Sequence, residues 1–115
     1  MADDIRAHAR YVLHSPQKVR LVVDLVRGRD VVDALNVLRF TPNAAARPVA
    51  KVLSSAMSNA EENFGVSRED LYIYKIFADV APTRRWRRFG ARGRFKPILR
   101  RASHVTVVLR EKEGT

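Results

Sequence analysis

Thr83–Arg101 reads T-R-R-W-R-R-F-G-A-R-G-R-F-K-P-I-L-R-R, nineteen residues with nine basic side chains and no acid. On both sides of it the chain turns to β chemistry. Leu71–Val80 carries Leu71, Tyr72, Ile73, Tyr74, Ile76, Phe77 and Val80, and His104–Arg110 places Val105, Val107 and Leu109 on one face of a second strand. Two antiparallel strands can be closed by a two-residue turn, but here about twenty residues intervene, and a connection that long is either functional or disordered. The segment 83–102 is therefore expected to form an extended basic β-hairpin arm that projects from the body. Arg84, Trp86 and Arg88 fall on one face of its first strand, and Arg85, Arg87 and Phe89 on the other. Both faces are cationic, so neither can pack on the protein's own core. Gly90 and Gly93 supply a flexible tip. At ~3.3 Å per residue each side of the hairpin reaches about 30 Å. A lone two-stranded ribbon is marginal in water, so the arm is expected to be mobile when free and ordered when bound.

The chain has 115 residues, a net charge of +10 and a pI near 11.0. That length fits one domain spanning 1–115. Outside the arm, 13 basic and 12 acidic side chains nearly cancel. The protein is a near-neutral body with one cationic limb, which implies a polyanionic partner. Arginine forks pair with phosphate oxygens and stack on bases, and Trp86, Phe89 and Phe95 offer further planar surfaces for RNA. A solvated, disordered basic run is the plain alternative. Against it, the segment is internal, bounded by strands at both ends, and rich in aromatics that disordered tracts tend to exclude. A membrane-surface arm fits poorly, because its arginines do not segregate to one face.

The body reads as α+β. Ile5–Leu13 alternates Ala7, Ala9, Tyr11 and Leu13 with Arg6, His8 and Arg10 at the period of a strand. Ser15-Pro16 opens a helix with serine as the cap. Val19, Val22, Val23 and Val26 form its apolar face, and Gly28 ends it. A shorter helix follows over Asp30–Arg39, capped by Asp30, with Val31, Ala34, Leu35 and Leu38 inward. Thr41-Pro42 repeats the start signal for the longest helix, Pro42–Asn63. Its stripe is Ala46, Val49, Ala50, Leu53, Met57, Ala60 and Phe64, and Pro48 is expected to bend its first turns.

Nothing in the sequence argues for catalysis. With no cysteine there is no thiolate metal site or thiol nucleophile. His8, His14 and His104 lie in different elements without ligand spacing, and Glu61-Glu62 point apart on a helix. Ser54, Ser55 and Ser58 allow close helix packing. No phosphate-cradling glycine loop or nucleophile elbow occurs. No metal, cofactor or small-molecule substrate is expected. The acidic opening Met-Ala-Asp-Asp is unlike a signal peptide, and no apolar run nears the ~20 residues that cross a bilayer. The expectation is a soluble cytoplasmic protein with no membrane partner.

Several stretches carry a family resemblance: A-R-Y-V-L-H-S-P-Q-K-V-R-L-V (Ala9–Val22), P-V-A-K-V-L-S-S-A (Pro48–Ala56), A-P-T-R-R (Ala81–Arg85), Gly93-Arg94, and S-H-V-T-V-V-L (Ser103–Leu109). In order and spacing the chain resembles, over nearly its full length, the bacterial large-subunit ribosomal protein family numbered twenty-two. The resemblance implies three helices on a small three-stranded antiparallel sheet with a long protruding β-hairpin. It implies a structural constituent of the large ribosomal subunit that binds 23S ribosomal RNA across several RNA domains and aids early subunit assembly. Its body is then near the exit of the nascent-peptide tunnel, beside neighbouring large-subunit proteins. The hairpin tip, Phe89, Gly90, Ala91, Arg92 and Gly93, lines the tunnel wall against the nascent peptide. Ser15, Pro16, Lys18 and Arg20 match the family's helix-start motif, with Lys18 and Arg20 as RNA contacts. Arg84, Arg85, Arg92, Arg94, Arg100 and Arg101 match basic hairpin positions; Trp86, Arg87, Arg88 and Lys96 complete the expected RNA-binding set. The chain departs from the family pattern before Ala91-Arg92-Gly93, where Phe89-Gly90 replaces a basic residue.

Two other classes share parts of this pattern. An architectural DNA-binding protein also carries an arginine-rich β-arm on a helical body, usually as a dimer on the minor groove. An RNA-modifying enzyme would add a cleft around ionisable side chains. The ribosome assigned by resemblance is that of the bacterial cytoplasm or of an organelle with bacterial-type ribosomes.

Overall fold

Val19, Val22, Val23 and Val26 are all buried on one side of α1 (Pro16–Val26). β-Branched residues are middling helix formers, so this helix owes its stability to the packing of that stripe. The computed structural model describes residues 4–12, 14–81, 84–89, 95–100 and 102–112, with Tyr11, 84–89 and 95–100 described as backbone alone. Before α1 comes β1 (Ile5–Val12). After it come α2 (Val31–Arg39), α3 (Ala46–Phe64), a 3-10 turn at Arg68–Asp70, and four strands: β2 (Leu71–Val80), β3 (Arg84–Phe89), β4 (Phe95–Arg100) and β5 (Ser103–Glu111).

Three strands form one antiparallel sheet in the order β1-β5-β2, so the last strand of the chain is the central one. The three helices pack on one face of it. Val105, Val107 and Leu109 of β5 meet Ile5 and Ala7 of β1, Ile73 and Ile76 of β2, and the helical stripes in one continuous core. β5 is buried on its other face too: Val108 is 4% exposed, although no helix covers it. Its cross-strand neighbours are Arg6 and Lys75, long side chains whose methylene stems cover apolar surface while the charge stays in water.

Two bulges set which residues face the core. In β2, Ile73 pairs with Leu109 but Lys75 pairs with Val108, so one extra residue enters the strand at Tyr74. The inward positions change parity there, from Leu71 and Ile73 to Ile76 and Ala78. In β1 the register shifts between Ala9 and Val12. Strict alternation put Tyr11 and Leu13 inward; instead Val12 is buried, and Leu13 lies outside the described residues.

The helix ends depart from expectation in instructive ways. Ser15 and Asp30 occupy N-cap positions with extended backbone, but neither side chain makes a cap hydrogen bond. The Asp30 carboxylate instead accepts from Lys112 Nζ at 2.8 Å. A cation from the C-terminal end of the sheet outcompetes the local backbone donors. α3 starts at Ala46, not Pro42. Thr41 donates its hydroxyl back to the Val37 carbonyl at 2.7 Å and so closes α2, while Asn43 Oδ1 accepts from the Ala45 N–H at 2.9 Å and turns the chain into α3. Pro48 is then the third residue of the helix. Its missing N–H falls among the donors that have no intrahelical partner anyway, so the expected bend has no cause. Phe64 lies outside the stripe at 47% exposure, and Val52 and Ala56 join it. Gly65 ends α3 in the left-handed region at φ 65°, and the Val66 N–H returns to the Ala60 carbonyl at 3.1 Å.

Leu53 is fully buried and Leu21 is 62% exposed. Leu53→Ala is expected to lower unfolding free energy by about 2–5 kcal/mol, and Leu21→Ala to stay within about 0.5 kcal/mol of wild type. Equilibrium denaturation of both variants checks this; equal losses would mean that the core is misassigned.

Candidate nucleic-acid interface

The basic segment starts where β2 and β5 stop. The Ala81 N–H donates to the Ala102 carbonyl at 3.0 Å, and both residues are buried. Beyond this point β3 and β4 form their own antiparallel ladder, from Arg84 opposite Arg100 to Phe89 opposite Phe95. The described part of the arm is thus a β-hairpin in register. Val80 pairs with Ser103 and Arg84 with Arg100, so the register moves by one between the two ladders.

Arg84, Arg85, Trp86, Arg87, Arg88 and Phe89 all lie in β3, and Lys96 and Arg100 in β4. Gly90, Ala91, Arg92, Gly93, Arg94 and Arg101, expected as tip or contact positions, lie outside the described residues. Arg84 is directly opposite Arg100, and Arg88 directly opposite Lys96. Like charges at opposed positions destabilise a two-stranded ladder. Pro97, opposite Arg87, removes a donor from β4, which strands tolerate at an edge. An ordered hairpin of this composition calls for counter-charge from outside.

Lys18 and Arg20 are exposed on α1. Arg20 has a structural task that sequence reading missed: its Nε donates to the Ala78 carbonyl at 3.3 Å. Arg27 does the same for Ile76, Nη2 to carbonyl, at 2.9 Å. Further along, the Ile73 N–H donates to the Arg29 carbonyl at 2.9 Å, and Asp30 bridges to Tyr72. The outer edge of β2 is thereby covered over much of its length, which blocks edge-to-edge association. The seven-residue spacing of Arg20 and Arg27 puts both on one helix side, but only the fold reveals that an edge strand lies there. The Nη groups of Arg20 carry no partner among the described residues and stay available to an anion.

The body neutralises many of its own charges. Asp4 holds Arg110 at 2.6 Å and Arg6 at 3.8 Å; Arg27 meets Asp24 at 2.6 Å and Arg29 meets Asp33 at 3.0 Å. Arg68 meets Glu61 at 2.8 Å, and Lys112 meets Asp30 at 2.8 Å. The Arg110 guanidinium also lies 3.4 Å from the Tyr74 ring centroid. Its hydrogen bond to Asp4 holds that carboxyl below the usual range, against a smaller effect of burial, and raises the Arg110 pKa. The Ser67 hydroxyl, bonded to Glu69, lowers that carboxyl too.

His8 Nδ1 lies 3.0 Å from Thr106 Oγ1, and the His14 carbonyl accepts from Ser103 Oγ at 2.9 Å. Among the described residues no three His, Asp or Glu side chains group to hold a metal. A shallow groove among the described residues is lined by Asp30, Asp33, Arg68 and Glu69, and its two aspartates are held by Lys112 and Arg29. No helix of the described residues is long and apolar enough to cross a membrane.

A helical body on a small sheet, continued by a two-stranded ladder rich in arginine, is the arrangement of a protein that meets a polyanion. Residues 7–110 match the family described as Ribosomal protein L22p/L17e, and the chain belongs to that family. It is similar to the Large ribosomal subunit protein uL22 of Thermoanaerobacter sp. (strain X514), with 51% identity over 110 residues, covering 96% of this chain and 99% of the relative. The protein of the same name from Thermoanaerobacter pseudethanolicus (strain ATCC 33223 / 39E) matches at the same identity and coverage. The chain is a structural ribosomal protein and not an enzyme.

Because the folded-state pKa of Asp4 is depressed, the Asp4–Arg110 pair contributes at neutral pH, and its contribution is lost as pH falls through that depressed value. In Arg110→Ala, Asp4 is expected to titrate higher than in wild type, nearer the ordinary carboxylate value, as followed by carboxyl-carbon NMR. An unchanged midpoint would show that Arg110 is not the cause.

Proposed function

We propose that this ribosomal protein is a component of the large subunit that works by threading its basic hairpin into 23S ribosomal RNA. The observation that carries this reading is the ladder of β3 and β4, in which like charges oppose one another at Arg84 and Arg100 and at Arg88 and Lys96. In water such a ribbon is marginal. Among phosphates, the same cations neutralise backbones that otherwise repel, and RNA and hairpin order one another. Arg84, Arg85, Arg87, Arg88, Arg92, Arg94, Lys96, Arg100 and Arg101 are the proposed phosphate contacts. Trp86 offers a stacking surface, and Lys18 and the Nη groups of Arg20 extend the contact onto the body.

The finer placement rests on the family. The hairpin protrudes from the body, joins several RNA domains and acts early in assembly. The body sits near the tunnel exit beside other large-subunit proteins, and Phe89–Gly93 lines the tunnel wall against the nascent peptide. Family membership favours this reading over that of a DNA-binding architectural protein.

Replacing Arg84, Arg85, Arg87 and Arg88 together with alanine is expected to leave the body folded by circular dichroism. It should weaken binding to large-subunit ribosomal RNA and flatten the slope of log affinity against log salt by about 3, at roughly 0.7–0.9 per lost phosphate contact. Undiminished affinity and slope at moderate salt would overturn these roles.

A further inference from the structure

The six ion pairs among the described residues leave some cations without a carboxylate, and two of these line one groove, with a third beside them on α3. Arg39, at the end of α2, and Arg47, at the start of α3, line one groove of about 520 Å³. Lys51 follows Arg47 by four residues, on the same side of α3. All three are exposed, and none has an acidic partner among the described residues. No acid lines the groove, whose apolar lining includes Leu35, Leu38, Ala46 and Ala50, with Thr41 and Asn43 at the α2–α3 turn. Between Arg39 and Thr41 stands Phe40, 80% exposed, the most exposed large apolar side chain among those described. The Arg39 guanidinium lies 5.9 Å from its ring centroid.

Cations are matched with acids at the other end of these helices: Arg29 with Asp33, Arg68 with Glu61, Lys112 with Asp30. At the α2–α3 turn the fold leaves positive charge unmatched and an aromatic ring in water. The ring lies beside Arg39, so the two costs fall close together, and one kind of ligand relieves both. Phosphodiester oxygens fit the guanidinium and ammonium groups, and an unpaired base fits a flat ring flanked by an arginine. We infer that the α2–α3 groove, through Arg39, Phe40, Arg47 and Lys51, is a second RNA-contact surface. It grips an unpaired segment of ribosomal RNA independently of the hairpin. An acidic protein segment would match the cations but gives no reason for the exposed ring.

This rests on the RNA-binding reading above, and the experiment separates the two. The full chain is titrated against large-subunit ribosomal RNA across a salt series, as wild type, as Arg39→Ala/Arg47→Ala/Lys51→Ala, as Phe40→Ala and Phe40→Tyr, and as the four-arginine hairpin variant. A charge-matched control, Arg29→Ala/Arg68→Ala/Lys112→Ala, removes three paired cations. The groove variant is expected to lose about tenfold or more in affinity and to flatten the log–log slope by about 2, with a further loss when combined with the hairpin variant. Phe40→Ala should weaken binding several-fold and Phe40→Tyr should restore it; at 80% exposure this change leaves the core intact whatever the triple variant does. RNA should also shield Lys51 from acylation. Wild-type affinity and slope in the groove variant overturn the inference even where the hairpin variant loses affinity, and so does an equal loss in the charge-matched control. A hairpin variant that binds like wild type overturns the hairpin reading instead.

Discussion

The pairing of β2 with β5 is the constraint on which the rest depends. Its last described contact, from the Ala81 N–H to the Ala102 carbonyl, lies between two buried alanines. The hairpin ladder resumes at Arg84 on one strand and at Arg100 on the other. Everything cationic between these points has both ends held, so the entropy of closing that long connection is met by the sheet and not by the arm. β5 can serve this purpose because it is the central strand. β1 and β2 flank it, its inward side chains are fully buried, and the helices lie over them. Moving the arm's base would mean slipping a strand whose register places Val105, Val107 and Leu109 in the core.

The same sheet sets the protein's electrostatic division. Acids are spread over the body, and the fold brings two of them to cations remote in sequence, Asp4 to Arg110 and Asp30 to Lys112. Exposed ion pairs of this sort add little stability each. Their larger consequence is to flatten the field of the body, so that the hairpin and the few unmatched cations dominate what a polyanion meets. Arg20 and Arg27 do a second job at the edge of β2, where their guanidinium groups occupy carbonyls that another strand could otherwise use.

Much of this was legible in the residues. The valine stripe of α1, the inward residues of α2, the alternation of β5 and the acid-free run after β2 are local patterns of period 3.6, period 2 or plain charge, and each element formed where its pattern lay. The misreadings at the helix starts have one origin. Thr41-Pro42 has the form of a helix start, yet Thr41 turned back to α2 and Asn43 made the turn into α3. Ser15 and Asp30 sit at caps without capping. A short polar side chain can bond to several neighbours, and which one wins depends on what the fold brings near.

The sequence by itself determined that a neutral α+β body carries a cationic hairpin, because periodicity and net charge are sums over neighbouring residues. Only the tertiary structure decided the rest. It set the strand order β1-β5-β2, the bulges that turn Val12 and Ile76 inward, the arginines that close the edge of β2, and the meeting of Arg39 with Arg47 beside a groove. These are pairings between residues far apart in the chain, and they are selected by the burial of the whole core at once, which no local pattern encodes.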